Sequence, residues 1–390
     1  VPVIPFILLG LVIALLIGER WYVSRVGRTI PLRIHVNGSR GKSSIVRYIV
    51  AGLRAGGKRT LGKITGVRPT LLLPDGTAEE LRRRGPANIR EQISVLRQAK
   101  AFNCHALVLE CMSIAAPLQQ IEGVLLRPHV SVLTNILDDH LEELGESDAT
   151  RVEAYCSSLP ANSIIVTTDN AHIKEIQQAA NQRGSSVLLP PESIRGELPA
   201  SVSPIEREHI RLAVAVCKKC GVEESQAIEG ILGEITNDIS LAYSLPVKQN
   251  TVDFVNGFAV NDITSAALFL EIWKNKLNIR DNLIILLNTR ADRPKRSDQF
   301  ARWCSERNDV HSVVVTGTHA PYTRRKLLSN GMKPERVRTW SDDDVRNPLE
   351  AFGMMVKDEA TVFGFGNIAG DGFRILDALQ PYRQRQDRQW

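Results

Sequence analysis

A chain of 390 residues, 43% hydrophobic and only 5% aromatic, has material for two domains that each bury a core. Its formal net charge of +6 suits a nucleic acid, an anionic membrane surface or an acidic substrate. Aromatic residues do not cluster with basic ones as base stacking requires, which argues against nucleic acid as a partner.

The chain opens with an uncharged apolar run over residues 1–18, just long enough as a helix to cross the hydrocarbon layer. Trp21 and Tyr22 follow as interfacial residues, and Arg20, Arg25, Arg28 and Arg33 supply a positive flank. The run lacks the basic start and small-residue cleavage site of a signal peptide. We read residues 1–18 as a retained single-pass anchor and 19–30 as a juxtamembrane linker. By the positive-inside bias the remainder is expected on the cytoplasmic side.

Next comes an apolar strand, 32–36, then Gly38-Ser39-Arg40-Gly41-Lys42-Ser43-Ser44 and a helical stretch over 42–55. A glycine-rich turn between strand and helix cradles phosphate. Backbone N–H groups point inward, the helix N-terminus adds partial positive charge, and Lys42 reaches the terminal phosphates. Ser43 stands where a hydroxyl meets Mg²⁺. Further strands are expected at 105–110, 130–136 and 163–167, and helices at 87–102, 148–159, 171–182, 204–219 and 223–233. The alternation predicts a mostly parallel sheet covered by helices. Segment 66–86, with its prolines, glycines and Arg82-Arg83-Arg84, reads as an exposed loop.

Two strand ends carry acids. Glu110 closes 107–110, and Asn135-Ile136-Leu137-Asp138-Asp139-His140 closes the run from Leu133. Carboxylates at the C-terminal ends of parallel strands stand where α/β sheets bind ligands. A hard cation prefers oxygen, so Glu110 is the natural ligand and His140 the less usual one. Six cysteines are scattered, and Cys217-Lys218-Lys219-Cys220 is their one close pair. A single such pair without a second is read as a helix end with reduced thiols rather than a zinc site.

Periodicity fades between Thr236 and Asn250, where Pro246 intervenes, so domains are drawn at 31–240 and 241–390. The second block repeats the alternation, with strands at 252–260, 283–288, 312–316 and 361–364. Its helices are expected at 264–277, 297–305, 343–357 and 370–383. Arg290, Asp292 and Arg293 form a charged cluster after strand 283–288. The guanidinium fork of Arg290 or Arg293 matches a phosphate or a substrate carboxylate. The plainer reading of Arg290 is an ion pair with Asp292. Gly364, Gly366 and Gly370 read equally as turn residues or as points of close backbone approach.

Taken in order, the short glycine–lysine–serine loop, the Glu110 strand end and the Asn135–His140 run resemble the Mur ligase central domain. Folylpolyglutamate synthetases share them. The wording is nearer still to the ligase subunit of poly-γ-glutamate synthases, the PgsB/CapB family. It is carried by 35–43, 62–66, 110–113, 135–140, 255–262, 288–293 and 365–370. The resemblance implies a Mur ligase-like P-loop domain of mostly parallel sheet and a smaller C-terminal α/β domain that closes over nucleotide. The activity implied is an ADP-forming ligase that joins glutamate through its γ-carboxylate by way of an acyl phosphate.

The resemblance also implies ATP and Mg²⁺ (or Mn²⁺) as cofactors, with Ser43, Thr65, Glu110 and His140 as metal ligands and Asp262 on the ribose. The expected partners are glutamate, the growing poly-γ-glutamate chain, a multi-span membrane subunit and an extracellular subunit. Homo-oligomerisation stays open, as does another acidic acceptor for the glutamate or an ATP-driven switch acting on a membrane partner. Two departures stand out. Residues 148–159 hold Arg151 and no lysine that could carry a carbamate, and with only the apolar run and about a dozen residues read before the first strand, a UDP-sugar domain and a UDP-muramoyl substrate are not expected.

Overall fold

The computed structural model describes residues 3–382 except 66–68, 82, 84, 86, 138–140, 146, 195–197, 199–201, 203, 238–241, 249, 259, 261–262, 278, 280–281 and 357–358. The chain divides into two compact units, Val1–Ile235 and Thr236–Trp390.

The first unit begins with α1 (Val3–Arg28), then β1 (Leu32–Asn37), α2 (Lys42–Ala55), β2 (Thr60–Ile64), β3 (Thr70–Leu72) and β4 (Ala78–Glu80). It continues with α3 (Arg90–Ala101), β5 (Ala106–Glu110), α4 (Ala116–Leu126), β6 (Val130–Leu133), α5 (Leu141–Leu144) and α6 (Asp148–Ser157). It ends with β7 (Ile164–Thr167), α7 (Ile173–Asn181), β8 (Ser186–Leu188), α8 (Pro204–Lys219) and α9 (Glu224–Asn237). The sheet order is β4-β3-β2-β5-β1-β6-β7-β8. From β2 to β8 its neighbours run parallel, and β3 and β4 add an antiparallel edge.

Strand alternation sorts side chains onto two faces. Ile34, Val36, Ala106 and Val108 join α2, α8 and α9 in one core, whereas Leu107 and Leu109 join α1 and α3 in another. Small residues set the helix spacing on the first face. A Cβ at Gly52 would lie 2.8 Å from Cys217 Sγ, and one at Gly230 would lie 2.6 Å from the Ala51 carbonyl oxygen. Cys217 and Cys220 are buried free thiols, as the sequence predicts, and burial pushes Cys220 up to about 11.

The first helix corrects one boundary. It does not stop at residue 18 but runs unbroken to Arg28. Val23, Val26 and Ile30 are buried in the core that holds α3 and Leu126. Arg33 locks this foot in place, donating to the carbonyls of Gly27 at 2.7 Å, Ile30 at 2.9 Å and Leu126 at 2.9 Å. The expected loop 66–86 is a second correction. It contains the β3–β4 hairpin, closed by Asp75 and Thr77, with Leu71, Leu72 and Leu73 buried.

The second unit comprises β9 (Ala242–Val247), β10 (Asn250–Asn256), α10 (Ile263–Leu277), β11 (Leu283–Asn288), α11 (Pro294–Ser305), β12 (Val310–Thr316) and α12 (Ala320–Ser329). After these come β13 (Val337–Thr339), α13 (Asp342–Arg346), α14 (Pro348–Met355), β14 (Ala360–Phe365) and α15 (Asp371–Leu379). Its sheet runs β13-β12-β11-β14-β10-β9, parallel except for β9. The expected break at Pro246 is instead part of edge strand β9, where a missing N–H costs no ladder bond. The single helix expected over 343–357 is two, parted at Asn347 before Pro348.

Ile49 lies on α2 in the core that roofs β1, fully buried. Ile49→Ala should destabilise the first unit by about 2–5 kcal/mol through lost burial and a residual cavity, read as a lower urea midpoint at unchanged slope.

Candidate functional site

Register builds the site. Val36 pairs with Glu110 and Asn37 with Leu133, so the first loop residues leave β1 level with the ends of β5 and β6. Lys63 pairs with Leu109, which brings Thr65 to the same edge.

Gly38 has φ 125° and Gly41 φ 79°, values that favour glycine. A Cβ at Gly38 would lie 2.9 Å from Thr134 N, and one at Gly41 would strike the His209 ring. Gly41 is the N-cap of α2 and offers no side chain to the first-turn N–H groups. They are left for an anion, with the helix dipole behind them. The loop is pinned to the end of β6. Ser39 N donates to the Asn135 carbonyl at 2.9 Å, Arg40 N to Asn135 Oδ1 at 2.9 Å, and Leu137 N to Ser39 Oγ at 2.9 Å. Lys42 folds back over the loop, its Nζ donating to the Gly38 carbonyl at 2.5 Å. Ser44 follows on the first turn of α2.

Three of the expected metal-binding residues meet. Ser43 Oγ donates to Glu110 Oε2 at 3.0 Å, and Thr65 N donates to the same oxygen at 2.9 Å. Glu110 is buried. The Glu110 carboxylate and the Ser43 hydroxyl are oxygen donors of the kind that Mg²⁺ or Mn²⁺ takes, so this pair fits a hard divalent cation beside phosphate, whereas Thr65 meets Glu110 through its backbone N–H. His140 and Asp262 lie outside the described residues. Arg151 is buried and 3.3 Å from Asp148 Oδ1.

A polar network not anticipated from sequence lies beneath this edge. Glu122, on α4, accepts from Gln92 Nε2 at 2.5 Å, Ser113 Oγ at 2.9 Å and the backbone N–H groups of Met112 and Ser113 at 3.3 Å. His35 Nε2 is 3.4 Å away. Burial works to raise the Glu122 pKa, yet His35, Gln92 and Ser113 bring it down to about 2. Gln92 also donates to the Glu110 carbonyl at 3.2 Å and receives the fully buried Lys63 ammonium at 3.2 Å. Burial pushes Lys63 below the ordinary lysine range, although Glu91, 3.1 Å away, pulls the other way. Arg83, expected to be solvated, instead grips Glu91 with two bonds of 2.7 and 3.1 Å. His209 was also missed. It packs on Gly41, and burial lowers its pKa, so the imidazole there is neutral at pH 7.

In the second unit, Arg290 is paired with Asp292 at 2.9 and 2.6 Å, and Arg293 stands exposed at the N-cap of α11. The polar residues at its strand ends are others. Asn288 Nδ2 donates to the Asn367 and Ala369 carbonyls at 2.6 and 2.9 Å, and Arg296 Nη1 to Asn367 Oδ1 at 2.9 Å. Gly366 has φ 99° and crosses the Asn288 carbonyl too closely for a side chain, whereas Gly370 faces open space in a turn.

Known proteins match this arrangement. A family profile described as the Mur ligase middle domain covers residues 36–193. Another, described as the poly-gamma-glutamate synthase CapB C-terminal domain, covers 242–382. The chain is 29% identical over 380 residues to PGA synthase CapB of Bacillus subtilis (strain 168), spanning 92% of each. It is 28% identical over 365 residues to the capsule biosynthesis protein CapB of Bacillus anthracis, covering 90% of this chain and 77% of that one. The fold matches a bifunctional folylpolyglutamate synthase/dihydrofolate synthase from Yersinia pestis, complexed with AMPPNP and Mn, at a TM-score of 0.65. Identity there is 13%, and 93% of each chain is covered.

Two outcomes test this geometry. Gly38→Ala should cut ATP affinity at least about tenfold in calorimetric titration, because strain and the Thr134 contact reshape the phosphate loop. Glu122 has a lowered folded pKa, so its contribution is full above its unfolded value of 4.5 and is lost as pH falls towards about 2. Glu122→Gln should therefore flatten the acid limb of the stability curve between those values by about 3 kcal/mol.

Proposed function

We propose, from the matches to the CapB C-terminal domain, the Mur ligase middle domain and the two CapB relatives, that this chain is an ATP-dependent amide ligase of poly-γ-glutamate synthesis, polymerising glutamate for a capsule or secreted polymer. The observation that carries this reading is the meeting of Ser43, Thr65 and Glu110 beside the uncapped N-terminus of α2.

A carboxylate is a poor electrophile until one of its oxygens becomes a leaving group. In the proposed reaction the γ-phosphoryl group of ATP passes to a glutamate γ-carboxylate oxygen and ADP departs. The α-amine of a second glutamate attacks the acyl phosphate carbonyl, phosphate leaves with the C–O bond electrons, and the nitrogen releases its proton. Phosphoryl transfer of this kind needs alignment and cations around its oxygens. The loop N–H groups and the Lys42 ammonium grip the phosphates. Ser43 and Glu110 and, by resemblance, Thr65 and His140 would hold Mg²⁺ or Mn²⁺, which would neutralise phosphate charge when bound. By the same resemblance Asp262 takes the ribose, and Arg290 or Arg293 a phosphate or substrate carboxylate. Arg290 would have to exchange its Asp292 partner for that ligand.

We also read α1 as a membrane anchor. It is long and apolar enough to cross a bilayer, and its apolar residues from Ile4 to Ile17 are exposed. In this reading the catalytic units are cytoplasmic and work with a multi-span membrane subunit and an extracellular subunit.

ADP release should be measured in membranes holding the complex, with and without glutamate, and the product sized. Glutamate-dependent ADP release with a lengthening polymer is expected. Release indifferent to every amino acid supplied would overturn the ligase reading. Lys42→Ala should lower turnover about 10²-fold by removing a charge that stabilises the transition state. Deleting residues 1–18 should move the protein from the membrane to the soluble fraction with ATP binding kept.

A further inference from the structure

α4 is amphipathic the wrong way round for a helix on a water-facing surface. Gln119 and Glu122 are buried beneath it, held by Asn37 and by the Gln92–Ser113 network. Leu118, Ile121 and Val124 point outward at 49%, 53% and 60% exposure, and Ile114 extends the stripe before the helix begins. Surface helices normally turn their charged residues to solvent and their apolar stripe to the core. The exposed side of α4 carries no charge between Ile114 and Val124.

The position of this stripe gives it meaning. The end of α4 meets the foot of α1. Leu126 shares a core with Val23, Val26 and Ile30, and Arg33 bonds carbonyls of both helices. At 1.5 Å per residue, Leu118 lies about 12 Å along α4 from that junction. Trp21 and Tyr22 are exposed on α1 just above its buried foot. Exposed arginines surround them, with Arg25 stacked over Trp21, Arg97 of α3 over Tyr22, and Arg20 and Arg28 nearby in sequence, while exposed Arg127 follows the last residue of α4. An aliphatic stripe bordered by aromatic residues and arginines is the pattern of a helix lying at an anionic lipid interface.

We propose that the outer face of α4 lies in the headgroup boundary of an anionic bilayer, a second membrane contact that fixes the tilt of the first unit. The proposal rests on α1 crossing that bilayer. Because α1 runs into the domain as one helix with a locked foot, the anchor has no slack at this junction, and the stripe is held against the membrane. A protein partner's apolar helix would match the stripe but would not account for the arginine border.

The six native cysteines are buried, so a cysteine placed on the surface can be labelled selectively. The full chain, in nanodiscs of phosphatidylcholine and phosphatidylglycerol, would carry an environment-sensitive fluorophore at Leu118→Cys, Ile121→Cys, Leu11→Cys or Gln177→Cys. Lipid-borne spin labels and an aqueous quencher would then be compared. The expected result is several-fold stronger lipid quenching at Leu118 and Ile121 than at Gln177, strongest with shallow labels, and deep quenching at Leu11. Quenching at Leu11 with Leu118 and Ile121 as water-accessible as Gln177 overturns the α4 contact and leaves the anchor standing. Protection of the stripe from both quenchers overturns the bilayer as occupant and points to protein. No lipid quenching at Leu11 overturns the anchor, and this proposal with it.

Discussion

Glu110 stands level with Val36 because β5 runs parallel to β1 in one register, and Leu133 stands level with Asn37 because β6 does the same on the other side. That pairing is what the candidate site depends on. Parallel strands end together, so a loop, a carboxylate and a hydroxyl far apart in the chain arrive at one edge. A shift of one residue in β5 would turn Glu110 to the opposite face and part it from Ser43. Hydrophobic burial resists that shift, since Leu107 and Leu109 would then trade cores with Val108.

Beneath that edge the protein tolerates buried charge where an apolar core would be simpler. Glu122 accepts from side chains and from the backbone of the turn after Glu110, so its carboxylate is solvated by the protein instead of by water. Lys63, with no exposure to solvent, is shared between Gln92 and Glu91. Gln92 connects the two groups and also holds the Glu110 carbonyl. Such a network sets the path of the chain around Glu110 by direction as well as by volume, which aliphatic packing does not do. It also explains the inverted helix above it. With the polar side of α4 committed inward, its aliphatic side is left facing out.

Some of this was legible from residues alone and some was not. The glycine–lysine–serine loop was legible because its geometry is local, resting on consecutive residues and two glycines at positive φ. Glu110 was legible as the polar end of an apolar strand. α4 was not foreseen, since its buried face is polar and its exposed face apolar. The β3–β4 hairpin was read as loop because its strands are short and its turn residues dominate the composition. Pro246 was read as a break because a proline in a strand stays cryptic until the strand is known to be an edge. In the second unit the arginines nearest the motif drew attention, while Arg296, one turn into α11, is the one bonded to Asn367.

What the amino-acid order determined by itself is the contiguous chemistry: an apolar helix at the start, a glycine–lysine–serine loop between strand and helix, alternating elements in two blocks, and the family likeness those phrases carry. Each depends on residues within a few positions of one another, where spacing and backbone geometry decide the outcome. What only the tertiary structure decided is which distant groups share an oxygen or a core. Thr65 and Ser43 meeting on Glu110, His209 against Gly41, the Glu122 network and the foot of α1 wedged beside α3 all follow from sheet order and register. Long-range burial sets those, and no local pattern encodes them.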